Sequence, residues 1–596
     1  MTNLEIVRQL RNVASAYQIL NENRFKIIAY ERAADSIEHL TSEAKDFWDD
    51  GKLKAMPGIG EAIAGHLDEL FRTGRVKHWE SVMKKVPEAV FPLLSVPGIG
   101  PKKAYKLVKE LKLKRAKTAV RDLEKAAKEG TIEPIEGFGK RSQDVIYEGI
   151  GTYKKGAVKE NRMPLPIADS IAQAVLTYLR KLRSVVRADA LGSLRRGVST
   201  IGDIDIAAST VKPEETVSYF LKYPHEKIIE KGPSGATLLL TNGRQVDLRV
   251  QKPEAYGAML QYFTGSKNHN IKLRSYALER GLSLSEHGIK EVKSGRMRSF
   301  QTEEAFYKKL GLSFIPPELR EDKGEIEAAQ AGKLPQVVVL DDIRGDLHIH
   351  TSYDLKSSHD VGVHSLEDHL DKAVALGYEY IGISDHNPRV TNHSVQQIVD
   401  IMKRRKEYYE HYYSSWIKKV SKNKASSRVV SLFIMCEVDI LFDGRLALPK
   451  EAFPYVDAVI VSIHSAFNQE RKIVTDRIIK AIQSHPKVRI LGHPTGRLLG
   501  SREGVDADWE EVFSVAKKRD IALEINAHPK RLDLPDSLVY DAVKKGMKFC
   551  INTDSHEIAV MDYVRYGVLV ARRGWAQKRD IVNTLGYNEF KKWLMK

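Results

Sequence analysis

Histidine is concentrated in one half of this chain: 13 of its 19 imidazoles lie after residue 340. Most sit where a short apolar run ends. Asp346-Leu347-His348-Ile349-His350 is followed by Ser384-Asp385-His386, Cys436-Glu437-Val438-Asp439, Ser462-Ile463-His464, Gly492-His493-Pro494 and Asp554-Ser555-His556. Imidazole and carboxylate hold Zn²⁺, Mn²⁺ or Fe in sites that keep positions open for water and substrate. One His-x-His pair is usually an ordinary surface feature. Six such sites, each after a predicted strand, point to a multi-metal hydrolytic centre.

A second set of residues suggests different chemistry. In Gly192-Ser193-Leu194-Arg195-Arg196-Gly197 … Gly202-Asp203-Ile204-Asp205, the two aspartates are two apart on a predicted strand and so share a face. Asp247, in Val246-Asp247-Leu248-Arg249, lies on a later strand that could pair alongside. Three carboxylates around two Mg²⁺ ions are what in-line nucleotidyl transfer requires. Gly192-Ser193, Arg196 and the Gly202 backbone are placed to meet the β- and γ-phosphates.

Three glycine turns resemble one another: Met56-Pro57-Gly58-Ile59-Gly60, Val96-Pro97-Gly98-Ile99-Gly100 and Ile135-Glu136-Gly137-Phe138-Gly139. Each precedes a stretch of helical periodicity, a helix-hairpin-helix pattern. Paired glycines let backbone approach a phosphate closely, and the following helix start offers free N–H donors. One copy would be an ordinary turn in a helical bundle; three in a basic region favour DNA-backbone contact, with Lys102, Lys103, Lys106 and Lys109 around the second. The net charge of +17 is uneven. Residues 1–320 hold 54 Lys+Arg against 39 Asp+Glu, whereas the rest hold 41 against 39. That bias suits a polyanion partner.

The elements that must position these groups divide the 596 residues into several domains. The expected order is a multidomain α/β and α+β chain. A helical DNA-end-binding region (1–85) and a second hairpin domain (86–151) come first. A nucleotidyltransferase palm begins at 152–232, and its end with a thumb occupies 233–315. A weakly patterned linker (316–342) leads to a metal-dependent domain (343–596). Ile167–Leu182 reads as a helix; Val185–Gly192, Asp203–Ala208, Gly235–Leu240 and Gln245–Val250 read as strands. After Asp342 strands and helices alternate, which predicts a parallel βα barrel. No segment approaches the about 20 apolar residues of a membrane helix. The first residues do not read as a signal peptide, and two cysteines suit a reducing cytoplasm.

Residues 1 to about 320 resemble the family X DNA polymerases, the relatives of DNA polymerase beta. The likeness is carried by Ala29-Tyr30-Glu31-Arg32-Ala33-Ala34, the hairpin turns, the Asp203/Asp205 motif and Tyr262-Phe263-Thr264-Gly265-Ser266. It implies that Tyr262, Phe263 and Gly265 lie at the incoming sugar, Asn270 and Arg274 at the minor groove or template, and Arg162 near the triphosphate. It also implies 5′-phosphate contacts from Lys26 and Tyr30. The family's Schiff-base lysine is replaced by His66, with Ala62 at the neighbouring position, so the lyase chemistry of polymerase beta is not expected in the same form.

Residues from about 342 to 575 resemble a PHP (polymerase and histidinol phosphatase) domain, a distorted (βα)7 barrel with three metals at its strand ends. Carried over by motif, the ligands are His348, His350, His386, Glu437, His464, His493, Asp554 and His556, plus one aspartate of the first loop, Asp360 or else Asp354. Arg531 and Lys530 either contact phosphate or form a solvated basic loop. Together the resemblances imply a monomeric, gap-filling enzyme acting on gapped or primer-template DNA with dNTPs. They imply Mg²⁺ at the palm, Mn²⁺ or Zn²⁺ in the barrel, a 3′–5′ exonuclease, and action at abasic sites as a further possibility. A repair nuclease whose polymerase half only binds DNA is the competing reading.

Overall fold

The computed structural model describes residues 3–596 apart from 39–43, 45–47, 49–50, 52, 54–58, 97, 155–161, 358 and 423–428. The chain forms two compact units. One comprises Met1–Met163, Ile167–Leu191 and Ile201–Pro253; the other comprises Pro164–Pro166, Gly192–Thr200 and Glu254–Lys596.

The first unit opens with helices whose apolar faces share one core, including Leu10, Leu67, Trp79, Leu107 and Leu123. Helix α1 (Glu61–Thr73) buries Ile63, Ala64, Leu67 and Leu70, one stripe at helical spacing, and stops at Gly74 in the left-handed region. Helix α2 (Pro101–Glu110) starts with proline, which has no N–H to leave unpaired, and buries Ala104, Leu107 and Val108.

The same unit holds a five-stranded sheet. In chain order its strands are β1 (Val185–Ala190), β2 (Ile204–Thr210), β3 (Lys227–Gly232), β4 (Gly235–Leu239) and β5 (Gln245–Gln251). Their spatial order is β1-β2-β5-β4-β3, with β2 and β5 parallel and the other neighbours antiparallel. Alternation sets the register: Asp205 pairs with Asp247, and Asp247 with Thr237 on β4.

In the second unit, residues 258–337 share a core that includes Leu273, Phe306, Tyr307, Leu310, Leu319, Ile326, Ala329 and Val337. The stretch 316–342, expected as a linker, is therefore packed structure. Leu319 and Ile326 supply apolar anchors, and Glu325 is buried against His269 at 2.6 Å. Sparse apolar spacing hid this, because two short helical turns carry the anchors. Nearby, Glu303 receives both Arg195 and the fully buried Arg320.

The remainder is a barrel of seven parallel strand segments: β6 (Gly345–Ile349), β7 (Tyr380–Ile383), β8 (431–439, broken at Met435), β9 (Val459–Ser462), β10 (Val488–Leu491), β11 (Ala522–Asn526) and β12 (Phe549–Asn552). The His350 N–H to Ser555 carbonyl bond (2.8 Å) and the Ser555 N–H to His348 carbonyl bond (3.0 Å) join the first segment to the last. Nearly every strand residue is buried, as expected for parallel strands covered on both faces. Among the described residues, no helix is long and apolar enough to cross a membrane.

Candidate metal centres and DNA-contact elements

The sheet of the first unit brings Asp203, Asp205 and Asp247 together, with one carboxylate oxygen of each within 4.8 Å of the others. Asp203 is exposed, Asp205 half-buried and Asp247 buried. The parallel pairing of β2 and β5 sets Asp205 beside Asp247 on one face. Asp247 is fixed by the Thr237 hydroxyl and by Gln245 Nε2, which donates at 2.9 Å. Each oxygen of this buried carboxylate thus takes one donor, which fixes its orientation beside the other two aspartates. Arg162 lies against Gly202, where a Cβ would come within 3.5 Å of its guanidinium.

The other expected nucleotide-site residues belong to the second unit. Gly192 adopts φ 57° and begins the turn carrying Ser193 and Arg196. Arg196 donates to the Thr264 carbonyl at 2.5 Å and to Glu321 at 2.9 Å, and a Cβ on Gly265 would sit 3.3 Å from its Nη1. Gly265, at φ 67°, thus permits both the turn and the close approach. Asn270 Nδ2 donates to the Tyr262 carbonyl at 2.7 Å, Arg274 lies 5.1 Å from the Tyr262 ring, and Phe263 packs edge-on against Tyr262.

Of the hairpin glycines, Gly58 lies outside the described residues. Gly60 and Gly100 cap α1 and α2 with no side-chain hydrogen bond. Gly98 and Gly137 have φ of 85° and 79°, and Gly139 leads into the helix Lys140–Lys154. Lys102 and Lys103 are exposed at the start of α2. Lys26 pairs with Glu22 at 3.2 Å. Tyr30 bonds His66 Nδ1 at 2.9 Å and accepts from Trp79 at 3.1 Å, and His66 stacks on His78 at 4.9 Å. Burial, then His78, holds the His66 imidazole below its usual range. No primary amine occupies the His66 or Ala62 position to form an imine.

The barrel's strand ends gather the larger set. Glu437 is fully buried at its middle. Its Oε2 lies 3.2 Å from His348 Nε2, 3.6 Å from His350 Nε2 and 2.9 Å from His386 Nδ1. Its Oε1 lies 3.4 Å from His464 Nε2 and 2.9 Å from His493 Nε2. Asp554 Oδ1 is 3.5 Å from His348 Nε2 and 3.3 Å from His350 Nε2. Three groups follow, each with ligand atoms within 4.8 Å: His348, His350, Glu437 and Asp554; Glu437, His464 and His493; and His350, His386 and His556.

The donor set fits cations. His348 Nε2, both His350 nitrogens, His386 Nδ1 and Glu437 Oε2 are buried without a hydrogen-bond partner. Such atoms are costly unless something else satisfies them. Burial pushes His386 down to about 4, and burial with His556 and His386 holds His350 well below the usual range. Both therefore present the neutral form that ligates. Burial alone would raise the Glu437 carboxyl, but His348, His386 and His464 outweigh it and hold it ionised.

Neither Asp354 nor Asp360 supplies an atom to these groups among the described residues; His359 does, in a fourth group with His386, Asp439 and His464. Asp354 turns back to accept the Lys356 N–H at 2.7 Å, whereas Asp360 lines the small cavity beside His350 and His386. His359 Nε2 lies 2.9 and 3.0 Å from the two Asp439 oxygens, and His464 Nδ1 lies 2.7 Å from one.

Supporting residues were also missed. Glu524 takes His348 Nδ1 at 2.7 Å and the His493 N–H at 2.6 Å. Asp385 is gripped by Arg405, Tyr409 and Thr351. The available signals were a carboxylate inside the apolar strand Ala522–Asn526, and Asp439 standing two residues from Glu437.

Three family profiles match the chain: a helix-hairpin-helix domain over residues 1–76, the DNA polymerase beta thumb over 259–321, and a PHP domain over 346–528. The DNA polymerase/3′–5′ exonuclease PolX of Bacillus subtilis (strain 168) is 32% identical over 599 residues, covering 100% of this chain and 99% of that protein. DNA polymerase lambda of Rattus norvegicus is 23% identical over 54% of this chain and 56% of its own length. That of Arabidopsis thaliana is 24% identical over 48% and 53%. With the palm carboxylates and the imidazole-lined barrel on one polypeptide, the chain belongs to the family X DNA polymerases that carry a C-terminal PHP domain.

Proposed function

We propose that this chain fills gaps in DNA by template-directed nucleotidyl transfer in its palm and trims 3′ ends in its PHP barrel. The observation that supports the reading is two chemically distinct groups of residues, each able to hold cations. One is all carboxylate, suited to Mg²⁺, and the other is rich in imidazole, suited to Mn²⁺ or Zn²⁺. Asp203, Asp205 and Asp247 would hold the palm cations, which when bound activate a 3′-hydroxyl and neutralise the triphosphate. His348, His350, Glu437 and Asp554, with His386, His464, His493 and His556, would hold up to three ions, which supply a hydroxide at neutral pH.

The chain's own residues do the positioning. Glu437 faces two ligand groups at once, Glu524 fixes the ring of His348, and Thr237 with Gln245 fixes Asp247. The hairpin helix starts grip the DNA backbone without reading sequence. A nuclease that cleans a 3′ end prepares the hydroxyl that a polymerase extends, so the two activities serve one gap. The same hydrolytic centre would open abasic sites.

A gapped duplex with a 3′-labelled flap or a recessed primer, incubated with Mg²⁺ or Mn²⁺, tests this. Asp203→Ala with Asp205→Ala is expected to abolish extension and leave 3′ degradation; His348→Ala is expected to do the reverse. Wild-type protein that never extends the primer would leave the competing reading, a nuclease with a DNA-binding polymerase half.

A further inference from the structure

Strand β8 ends at Asp439, which faces His359 and His464, and the chain turns back at once in a short hairpin over 440–446. The Ala447 N–H donates to the Asp439 carbonyl at 2.9 Å, which closes the hairpin at its base, and Ile440 bridges Leu446. At the tip the Gly444 N–H donates to the Leu441 carbonyl at 2.9 Å, and the Leu441 N–H to the Arg445 carbonyl at 2.8 Å. Gly444, at φ 82°, supplies the left-handed residue that such a bulged turn needs. Turn tips are ordinarily polar. This one carries Phe442, 65% exposed, and among the described residues of the hairpin no other large apolar side chain is exposed.

The tip is braced from below. Helix α3 (Arg471–Gln483) contributes Arg477, a buried guanidinium whose five acceptors are all carbonyl or amide oxygens. It donates to the Leu441 carbonyl at 2.8 Å in the hairpin, and to the Ser465 carbonyl at 3.1 Å and Gln469 Oε1 at 3.0 Å in the loop that follows β9. Gln469 Nε2 in turn donates to the Phe442 carbonyl at 3.0 Å, and Lys480 Nζ to the Asp443 carbonyl at 2.9 Å. Burying a charge to hold backbone oxygens is costly, and its effect here is to fix where the Phe442 ring stands. A ring fixed in advance loses little freedom when something covers it.

The hairpin leaves the strand end at which the barrel gathers its ligand groups, the end where βα barrels meet substrate. Phe442 follows Asp439 by three residues, so its backbone stands within about 10 Å of that carboxylate's backbone even at full extension. A protein partner would need an apolar patch of roughly a few hundred Å². One isolated ring instead matches one nucleobase, and every base has a π face that stacks. Phenylalanine has no hydrogen-bonding group with which to tell bases apart, which suits an enzyme that passes through any sequence.

We propose that Phe442 is a base platform at the barrel mouth, its ring stacking on the unpaired 3′-terminal base of the strand held at the metal ligands. This rests on the reading of the barrel as a nuclease and adds to it the residue that seats the base beside the bond being cut.

The test uses the full-length, manganese-loaded protein and two single-stranded oligonucleotides, one with an ordinary 3′ end and one whose terminal nucleotide lacks its base. Phe442→Ala is expected to keep its manganese and to lose roughly 5- to 150-fold in kcat/KM on the ordinary end, through KM. On the end without a base the substitution is expected to cost nothing further, because both changes remove the same contact. Phe442→Trp should match or improve the wild-type KM, whereas Phe442→Leu, apolar but without a π face, should stay near the alanine value. Equal losses on both ends, an unchanged KM, or full recovery by leucine would each overturn the proposal. Loss of manganese in step with activity overturns it too, since the hairpin then only braces Asp439. So does a concentration-dependent dimer that Phe442→Ala abolishes while KM is unchanged, which would make the ring a contact between copies. Binding separates the proposal from the nuclease reading. A phosphorothioate-linked oligonucleotide ending in 2-aminopurine should lose fluorescence by stacking on the wild type and keep it with Phe442→Ala. Should wild-type protein degrade no 3′ end, the nuclease reading fails, yet the 2-aminopurine signal still decides whether Phe442 is the platform.

Discussion

Glu524→Gln changes one atom type in the interior of the barrel and should weaken metal binding without altering volume. Four hydrogen bonds are donated to this carboxylate. Oε1 accepts from His348 Nδ1 at 2.7 Å and Asn552 Nδ2 at 2.9 Å, and Oε2 accepts from the His493 N–H at 2.6 Å and Asn526 Nδ2 at 3.1 Å. An amide offers one oxygen, so its NH₂ must face one of these donor pairs. If the His348 side is lost, the ring is free to turn and its Nε2 is less basic. If the His493 side is lost, the start of the next loop moves. Loss of such an outer carboxylate–imidazole bond typically costs 10–100-fold in metal affinity, or about 1.4–2.8 kcal/mol. Manganese titration of metal-stripped protein reads this directly. The dependence of 3′ degradation on manganese should shift by the same factor, while primer extension stays put because Asp203, Asp205 and Asp247 lie in the other unit. Unchanged manganese affinity would mean that Glu524 does not support the metal ligands, and an equal loss of extension would mean that the substitution disturbs the whole chain.

Other consequences are as direct. His359→Ala should lower manganese bound per chain, whereas Asp354→Ala and Asp360→Ala should leave it unchanged; inductively coupled plasma measurements distinguish them. Glu303→Gln leaves Arg195 and the buried Arg320 short of a counter-charge, which should cost about 3–5 kcal/mol in denaturant unfolding. Lys102→Ala with Lys103→Ala should weaken DNA binding equally across sequences. The slope of log K against log salt should become shallower by about 0.9 for each phosphate these lysines neutralise.

The repeating signals were legible in the sequence because they are local. Two-residue spacing placed Asp203 and Asp205 on one face, and apolar runs ending in His, Glu or Asp marked six of the seven barrel strands. The distant Asp247 was legible too, since a hairpin turn preceded its strand. What escaped depends on tertiary neighbours. Glu524 reads as one charge in an apolar run until His348, 176 residues away, is seen against it. His359 and Asp360 are adjacent in the chain, and only the path of their loop decides which of them faces Asp439. The 316–342 segment lacks sustained periodicity, so its burial of Arg320 and Glu325 shows only when the core around Tyr307 is assembled.

Manganese anomalous diffraction from the DNA-bound protein asks most directly whether one chain holds two cation-binding centres. Peaks are expected on both sides of Glu437, against His348, His350 and Asp554 and against His464 and His493, together with density between Asp203, Asp205 and Asp247. A fully soaked crystal with no peak at Glu437, or with bare palm carboxylates beside a paired primer and nucleotide, would rule out one centre or the other.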